Sequence, residues 1–444
     1  MLKFVDLFAG IGGIRKGLEI ALSERGIDAQ CIFSSEINQK AQETYRLNYG
    51  EIPNGDIREI DFLPDHDILL AGFPCQSFSY AGKQKGFADT RGTLFFEIER
   101  LLNAAKTKPR LLLLENVRGF TTHDKGRTYT TVLSKLNELG YEVTPILLNS
   151  SNYGVPQNRV RIYLVCSLGH KPMMSIRSDL GAADSHKFKQ AILQRNLFSG
   201  EIQHRCVADI LERNVDKKYF CSQSFVAQLA EAIAPKSLES LHGVRMIDHR
   251  GGNSIHSWDM GKNGQCSSIE KSLMDAIIAN RRKKHFGADK DGKKLTLEQI
   301  KSFWEKPGLE KTLASLEAKG YLKQVDGKFN PVCGNMSFEV FKFLDPTSIS
   351  ITVVSTDAHR LGVVQSGIPR RITPRECARL QGFPDNFILH PSDTFAYHQL
   401  GNSVSVPVIS AIFRDLILSG EHLFMKKEKR VTGTVGKGFP INMD

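Results

Sequence analysis

The sequence has no long hydrophobic run: no segment approaches the ~18 consecutive apolar residues that a membrane-spanning helix needs. Its opening segment, MLKFVDLFAG, carries charged residues inside the apolar stretch, so a secretory signal peptide is not indicated. The cytoplasm is therefore the expected compartment. With 444 residues, the chain exceeds one ordinary domain, and we expect two or more structural units.

Paired cysteines are also missing from the sequence. None of the eight cysteines belongs to a CxxC pair, which argues against a zinc knuckle and against the disulfide framework of a small secreted protein. No metal site is therefore expected. Most of the cysteines should be buried and unreactive, but Cys75 follows the strand-like run 67–71 and lies in a turn-like segment, GFPCQSF.

Acidic residues are also fewer than basic residues. Lys and Arg number 59 against 48 Asp and Glu, which gives a net charge of +11. This excess favours a polyanionic partner such as nucleic acid, although composition alone does not identify one. Two basic stretches, HRGGNSIHSW at 249–258 and RRKKHFGADKDGKK at 281–294, fit a solvated surface and a binding surface about equally well.

The first 170 residues alternate between strand-like and helix-like segments. This alternation predicts a doubly wound α/β fold with a parallel sheet and helical crossovers. The predicted strands are 2–7, 31–34, 67–71, 111–114 and 162–166, and the predicted helices are 12–25, 38–49, 93–102 and 128–139.

The alternation stops near residue 175. Between 295 and 332 the chain shows two successive helix patterns and then a hairpin signal at Asp326-Gly327. Helix, helix and hairpin in this order resemble a winged-helix unit, which often lays its second helix in a DNA groove. A small structural subdomain is the alternative interpretation.

A glycine-rich turn, DLFAGIGG at 6–13, follows the first predicted strand. Such a turn lets a nucleotide-like ligand approach the start of a helix, although it can also serve helix–strand packing alone. The glycine spacing is not GxGxxG, so a dinucleotide is not required. Glu36 ends the second strand, where an acidic residue commonly binds ribose hydroxyls. Together these features indicate an adenosine-containing cofactor.

Three further kinds of reactive side chain lie at strand ends. Cys75 is either a nucleophile or a structural cysteine. Glu115 ends the run LLLLE and is either a proton carrier or an ion-pair partner. Arg159 and Arg161 lie two apart on a strand, so they point to one face, where surface salt bridges are the alternative. Thiol, carboxylate and guanidinium at strand ends predict a single cleft.

Taken together, these motifs resemble those of the DNA cytosine-C5 methyltransferase family. The resemblance rests on an ordered series of motifs: DLFAGIGG, GFPCQSFS, LLENVRGF, QNRVRIYLV, RRITPRECARLQGFP and QLGNSVSVPV. They cover about 1–170 and 365–420, and the region 175–360 lies where the family has its variable target-recognition region. The resemblance implies a class I S-adenosylmethionine-dependent methyltransferase fold, with a Rossmann-like doubly wound sheet and a smaller DNA target-recognition domain.

With this resemblance, we divide the chain into four parts. The expected parts are a catalytic and cofactor-binding domain at 1–174, a target-recognition domain at 175–364 with a winged-helix-like insert at about 293–332, a return segment at 365–420 that completes the catalytic domain, and a flexible basic tail at 421–444.

The resemblance also implies a covalent mechanism. Cys75 would attack carbon-6 of a cytosine flipped out of the duplex, and Glu115 would protonate or hydrogen-bond ring nitrogen-3. Arg161 would contact the cytosine and stabilise developing charge, while Arg159 would support the loop or a phosphate. Carbon-5 of the resulting enamine would accept the methyl group, and loss of its proton would release Cys75.

S-adenosylmethionine is the cofactor that the resemblance implies. It assigns Phe8, Ala9, Gly10 and Gly12 to the adenosyl group, Glu36 to the ribose, Asp56 and Ile57 to the adenine, and Pro74 and Leu94 to the pocket beside the methyl donor. Asn402 and Ser403 belong to the last motif, which packs beside the first in this family. The segment 77–92 resembles the family's mobile catalytic loop, with a disordered surface loop as the alternative.

Three rival functions differ from this interpretation. The same chemistry on tRNA is disfavoured because about 185 residues separate the catalytic motifs, whereas the RNA-modifying branch has a compact recognition region. A catalytically silent DNA-binding regulator would be expected to lose the Cys, Glu or Arg. A nicotinamide-dependent oxidoreductase does not fit the glycine spacing or the PCQ and ENV motifs.

The expected partner is double-stranded DNA, bound by a monomer without any membrane association. A stand-alone chain of this kind resembles the methylase of a bacterial restriction–modification system, with a cognate endonuclease acting on the same site and a location in the cytoplasm or nucleoid. An orphan or phage enzyme would have the same sequence features, and the recognised DNA sequence cannot be read from the motifs.

Overall fold

The computed structural model describes residues 1–74, 94–180, 206–287, 294–332 and 338–424. Cys75, the whole predicted catalytic loop at 77–92, and most of the predicted basic tail at 421–444 lie outside the described residues.

A six-stranded sheet forms the centre of the first unit, in the order β2-β1-β3-β4-β6-β5. Its strands are β1 (Leu2–Leu7), β2 (Ala29–Ser35), β3 (Ile68–Gly72), β4 (Leu111–Val117), β5 (Tyr141–Asn149) and β6 (Val160–Leu168). The predicted strands are all confirmed, while β5 was not predicted. Strands β2, β1, β3 and β4 are parallel to their neighbours.

The prediction of a wholly parallel sheet was wrong at β6, which runs antiparallel to both β4 and β5. The physical reason is the connection before it, because only a short helical turn, Ser150–Tyr153, and a few loop residues separate β5 from β6. A parallel neighbour needs a crossover of a dozen or more residues, usually with a helix, whereas this link can only reverse the chain.

Helices cover both faces of this sheet. The described helices are α1 (Gly13–Ser23), α2 (Gln39–Tyr49), α3 (Leu94–Ala104), α4 (Arg127–Glu138), α5 (Gln223–Ile233), α6 (Ser268–Asn280), α7 (Leu297–Lys301), α8 (Leu309–Ala318), α9 (Pro374–Leu380), α10 (Asp393–Asn402) and α11 (Val406–Leu418). The four helices predicted before residue 140 are confirmed within the described residues. Helices α1 and α11 pack on one face, and α3 and α4 pack on the other, which is the predicted doubly wound arrangement.

The stretch 393–418 is long and apolar enough to be compared with a membrane span, but 67% of its most apolar window is buried inside the protein. It consists of α10 and α11, and Val408, Ile409 and Phe413 of α11 belong to the core around β1 and α1. This stretch is therefore a core element of the fold.

A second sheet is formed by strands between residues 245 and 371, a region that separates the two sequence segments of the first unit. It has five strands in the order β13-β12-β11-β7-β8. Its strands are β7 (Arg245–Met246), β8 (Ser254–Ile255), β11 (Lys342–Phe343), β12 (Leu361–Gln365) and β13 (Ile368–Arg371).

The predicted helix, helix and hairpin order is confirmed by α7, α8 and the antiparallel pair β9 (Leu322–Val325) and β10 (Lys328–Pro331). Asp326 and Gly327 both have positive φ, as a two-residue hairpin turn requires. Leu295 pairs with Phe329 of β10 in an isolated antiparallel bridge. Together with α6, these elements surround a separate hydrophobic core that contains Trp258 and Tyr321.

Candidate active site

One edge of the six-stranded sheet collects the predicted reactive residues that the structure describes. The carboxyl ends of β1, β3 and β4 meet there because these strands are parallel. The beginning of β6 lies at the same edge because β6 is antiparallel, and Val117 of β4 pairs with Arg161 of β6. The reversal of β6 is thus what brings Arg161 close to Glu115.

Glu115 and Arg161 form an ion pair at this edge. The Arg161 Nε atom lies 3.3 Å from Oε1 of Glu115, and the side chains are 14% and 11% exposed, respectively. Burial raises the pKa of Glu115, while the positive charges of Arg161 and Arg159 oppose that rise. A carboxyl group in this setting can hold or share a proton with a ligand in the cleft.

Arg159 is more deeply placed than Arg161, at 3% exposure. Its Nη1 donates to the carbonyl of Val353 at 2.9 Å, and its Nη2 donates to the carbonyl of Ser403. Burial lowers its pKa to about 9, and the Arg161 charge acts in the same direction. Two of its nitrogens therefore hold distant backbone segments together beside the site.

A cavity of about 610 Å³ opens at this edge. Residues from the first and last motifs line it together, and six of the predicted cofactor residues are among them: Phe8, Ala9, Gly10, Glu36, Asn402 and Ser403. Glu115 and Gly72 lie on its wall as well, so the carboxyl group faces the same space.

The glycine-rich turn contains three residues with positive φ. Phe8, Gly10 and Gly12 have φ values of 53°, 55° and 81°. The amide of Gly10 donates to Oε2 of Glu36 at 2.8 Å, and the amide of Asn38 donates to its Oε1 at 2.8 Å. Burial raises the pKa of Glu36, and these amides lower it. The turn and the second strand end are thus fixed to each other.

The cavity has no room for a side chain at one position of the turn. A Cβ atom on Gly13 would lie 2.7 Å from Oγ of Ser403 and 3.0 Å from Cγ2 of Val404. The last motif therefore closes directly over the first, and the wall at this point is built from backbone.

Five other predicted cofactor residues do not line the cavity in the described structure: Gly12, Asp56, Ile57, Pro74 and Leu94. The Gly12 carbonyl accepts a hydrogen bond from the hydroxyl of Tyr49 at 2.8 Å. Asp56 caps a short helical turn through the amide of Arg58, and Ile57 is buried in the core. Pro74 is exposed, and Leu94 packs partly buried against that same core.

Several residues that line the cavity were not predicted from the sequence. They include Asn38, His398 and Gln399. Asn38 caps α2, with its side chain accepting from the amide of Ala41 at 3.0 Å, and Asn following a strand end is a recognisable capping signal. Gln399 opens the QLGNSVSVPV motif and could have been named from it.

Comparison with known proteins gives a consistent family result. A family model described as C-5 cytosine-specific DNA methylase matches residues 2–418. The chain is 60% identical over 415 residues to Type II methyltransferase M.BanI of Aneurinibacillus aneurinilyticus, which covers 94% of this chain and 95% of that protein. It is 59% identical over 421 residues to Type II methyltransferase M.HgiCI of Herpetosiphon aurantiacus, with 95% and 99% covered.

Among solved structures, the crystal structure of the S. pombe Dnmt2 methyltransferase matches with a TM-score of 0.50 and 20% identity. The match covers 94% of this chain and 99% of that one. At this identity the likeness concerns the fold.

Proposed function

This chain belongs to the family of C-5 cytosine-specific DNA methylases, and from that premise we propose how its own residues carry out the transfer of a methyl group to carbon-5 of cytosine in DNA. The observation that carries the proposal is the position of Glu115. Its carboxyl group is buried beside Arg161 and lies on the wall of the cavity that the first and last motifs share.

In the proposed reaction, the Cys75 thiolate attacks carbon-6 of a flipped-out cytosine and forms a thioether. Glu115, with its raised pKa, carries a proton toward ring nitrogen-3 and so makes carbon-6 more electrophilic. Arg161 stabilises the charge that develops on the ring. After carbon-5 of the enamine has accepted a methyl group, removal of the carbon-5 proton restores the double bond between carbon-5 and carbon-6 and expels the Cys75 thiolate. Arg159 acts as a positioning residue through its two backbone carbonyl partners.

The cavity fits S-adenosylmethionine as the cofactor. The backbone of the glycine-rich turn and the carboxylate of Glu36 line the cavity together, as an adenosyl group with ribose hydroxyls requires. We assign Phe8, Ala9 and Gly10 to the adenosyl group, Glu36 to the ribose, and Asn402 and Ser403 to the wall beside them. When bound, the cofactor supplies the methyl group.

We also propose roles for the predicted cofactor residues that do not line the cavity. Gly12 shapes the turn through its positive φ. Asp56 and Ile57 are proposed for the adenine side, and Pro74 and Leu94 for the rim beside the segment that carries Cys75.

The test of this mechanism compares two cysteine variants. Cys75→Ser should reduce methyl transfer to background, because a hydroxyl is a far weaker nucleophile than a thiolate, while cofactor binding and DNA binding persist. Cys266→Ser changes a partly buried cysteine of another region and should retain full transfer. Radiolabelled methyl transfer to duplex DNA and binding titrations provide the measurements.

A duplex containing 5-fluorocytosine provides the second readout. The fluorine blocks loss of the carbon-5 substituent, so the wild-type protein should form a covalent complex that survives denaturing electrophoresis, and Cys75→Ser should form none. Full transfer activity of Cys75→Ser would overturn the mechanism. Trapping on RNA but not on DNA would favour the tRNA reaction instead.

We further propose that the chain is the methylase of a bacterial restriction–modification system, because relatives at 60% and 59% identity are Type II methyltransferases. The enzyme would then act as a monomer on duplex DNA in the cytoplasm or nucleoid, with an endonuclease cutting the same unmethylated site. Bisulfite sequencing of DNA from cells that express the chain identifies the methylated sequence. Protection of that DNA from the cognate endonuclease supports the role, and continued cleavage contradicts it.

A further inference from the structure

The loop 249–254 and the segment 281–284 are about 30 residues apart in sequence and neighbours in the structure. A Cβ atom on Gly251 would lie 3.9 Å from Cγ2 of Ile278 in the last turn of α6. Burial lowers the pKa of His249, and the positive charges of Arg250, Arg282 and Arg281 lower it further. The loop and the segment therefore contribute to one local field.

Hydrogen bonds and ring stacking hold the loop 249–254 in place. One ring nitrogen of His256 hydrogen-bonds the carbonyl of Arg250 at 3.0 Å, and the ring stacks on Trp258 with centroids 4.4 Å apart. The amide of Ser257 donates to the buried carboxylate of Asp248 at 2.7 Å. These contacts tie the loop to the core of the unit formed by α6, α7, α8 and the β9–β10 hairpin.

The segment after α6 is anchored in a similar way. Arg281 is 4% exposed, and its Nη2 donates to Oδ1 of Asn330 in β10 at 3.0 Å. The three residues that follow it, Arg282, Lys283 and Lys284, are exposed. One buried arginine thus fixes the position from which three cationic side chains extend into solvent.

Three exposed cations of the loop and the segment have no carboxylate partner among the described residues. Within the described part of the chain, Arg250, Arg282 and Lys284 form no ion pair with a carboxylate. Gly251 and Gly252 lie exposed beside them, so no side chain blocks a close approach to the backbone of the loop. Cationic side chains that have no carboxylate partner here lie next to exposed glycine backbone. Such a surface can bind the phosphates of a nucleic acid.

Helix α8 presents a different surface, although a winged-helix unit would place this helix in the DNA groove. Its exposed positions are Glu310, Lys311, Ala314 and Ala318, which together carry no net charge. Lys301 of α7 also lies 3.8 Å from Glu310, so part of the local positive charge is neutralised within the protein. This face offers little attraction for phosphates.

We propose that Arg250, Arg282 and Lys284, named here the basic patch, bind the sugar–phosphate backbone of duplex DNA, and that α8 does not. The inference rests on the proposed function, since it concerns how the same substrate is held. It assigns a role to the HRGGNSIHSW and RRKKH stretches, which the catalytic motifs leave unexplained.

The test removes three charges from each of two surfaces of the same unit. The patch variant is Arg250→Gln/Arg282→Gln/Lys284→Gln, and the matched control is Lys301→Gln/Lys306→Gln/Lys311→Gln. Affinity for a fluorescein-labelled duplex that carries the mapped methylation site is measured by anisotropy between about 50 and 200 mM salt. Thermal unfolding establishes that each variant is folded.

For the patch variant we expect an affinity loss of about tenfold or more, and a slope of log affinity against log salt that is smaller by about 2 to 3. The control should stay within about twofold of wild type with the wild-type slope. An unchanged slope in the patch variant, or an equal loss in the control, overturns the proposal.

Failure of the proposed function is recognised separately. If the wild-type protein is not trapped by 5-fluorocytosine duplex DNA, the catalytic proposal fails. A tenfold patch effect on DNA binding in that same protein would still support the phosphate-binding surface, and a patch effect seen only with duplex RNA would overturn it.

Discussion

The side chain of Asp6 is buried at the carboxyl end of β1, with 1% exposure. The hydroxyl of Tyr45 donates to its Oδ2 at 3.4 Å, and its Oδ1 has no hydrogen-bond partner among the described residues. Burial raises the pKa of Asp6 from its ordinary 3.8 to about 7, although the nearby Arg15 charge opposes the rise. An ionised Asp6 is therefore costly to the folded protein.

Asp6→Asn should stabilise the fold in a manner that depends on pH. Between pH 3.8 and about 7 the unfolded chain releases the Asp6 proton while the folded chain retains it, so the wild-type protein loses stability relative to the variant as pH rises. Above about pH 7 the difference should be constant. Arg15 retains Glu19 and Glu51 as partners in the variant.

Urea unfolding of both proteins across this pH range measures the difference. The exposed Asp61→Asn provides the control and should follow the wild-type curve. A stability difference for Asp6→Asn that does not change with pH would show that Asp6 is ionised throughout.

Single residues also show what the sequence could predict about the site. Glu36 and Glu115 were found because each carboxylate follows an apolar strand, and the structure places both on the cavity wall. The direction of the Arg159 side chain could not be found in this way. Its partners are the carbonyls of Val353 and Ser403, and no local pattern near residue 159 encodes contacts to such distant segments.

Helices α1 and α11 pack closely against each other, and the absence of a side chain at Gly17 allows this contact. A Cβ atom at this position would lie 2.5 Å from Cβ of Ile409, and the Ser410 hydroxyl donates to the Gly17 carbonyl at 3.0 Å. Helix α1 starts at the glycine-rich turn, and α11 begins within the last motif. Their spacing therefore sets how closely the two motifs approach.

Gly17→Ala should lower the free energy of unfolding by about 1–3 kcal/mol, because the added methyl group forces the two helices apart. Gly55→Ala is a suitable control, since a Cβ atom at Gly55 meets nothing within 4 Å. Chemical denaturation of both variants measures the effect. A Gly17→Ala protein as stable as its control would mean that the helices separate at no cost.

At this scale the sequence predicted the helices and strands well and the direction of one strand badly. Periodicity reveals an element, such as 162–166 within β6, but direction depends on the length of the preceding connection. Strand β5 was missed because its sequence, YEVTPILLN, contains a proline and lacks a regular alternation. Once β5 is missed, the short link to β6 is invisible, and the antiparallel pairing cannot be inferred.

At the scale of the whole molecule, a buried amide side chain joins distant parts of the chain. Gln157 is fully buried, and its Nε2 donates to the carbonyl of Leu380 at 2.8 Å and to Oε1 of Gln381 at 3.1 Å. Its Oε1 accepts from the amide of Val353 at 2.8 Å. Three segments, each from a different part of the sequence, thus meet at one side chain.

Gln157→Leu should lower the free energy of unfolding by about 3 kcal/mol or more, because it leaves at least two buried polar groups without partners at about 1–3 kcal/mol each. Gln324→Leu, on an exposed strand of the β9–β10 hairpin, should change stability by less than about 0.5 kcal/mol. Equal stability of the two variants would indicate that water replaces the lost contacts.

Parts of the cavity wall come from the first motif and from the last motif, which lie far apart in the sequence. While the chain is being synthesised, a ribosome must therefore release almost all of it before the last motif can close over the first. Until then a nascent chain has no complete cavity, however well its first sheet has folded. Premature termination should consequently yield products without methylating activity, so that partly made enzyme leaves no marks on the chromosome.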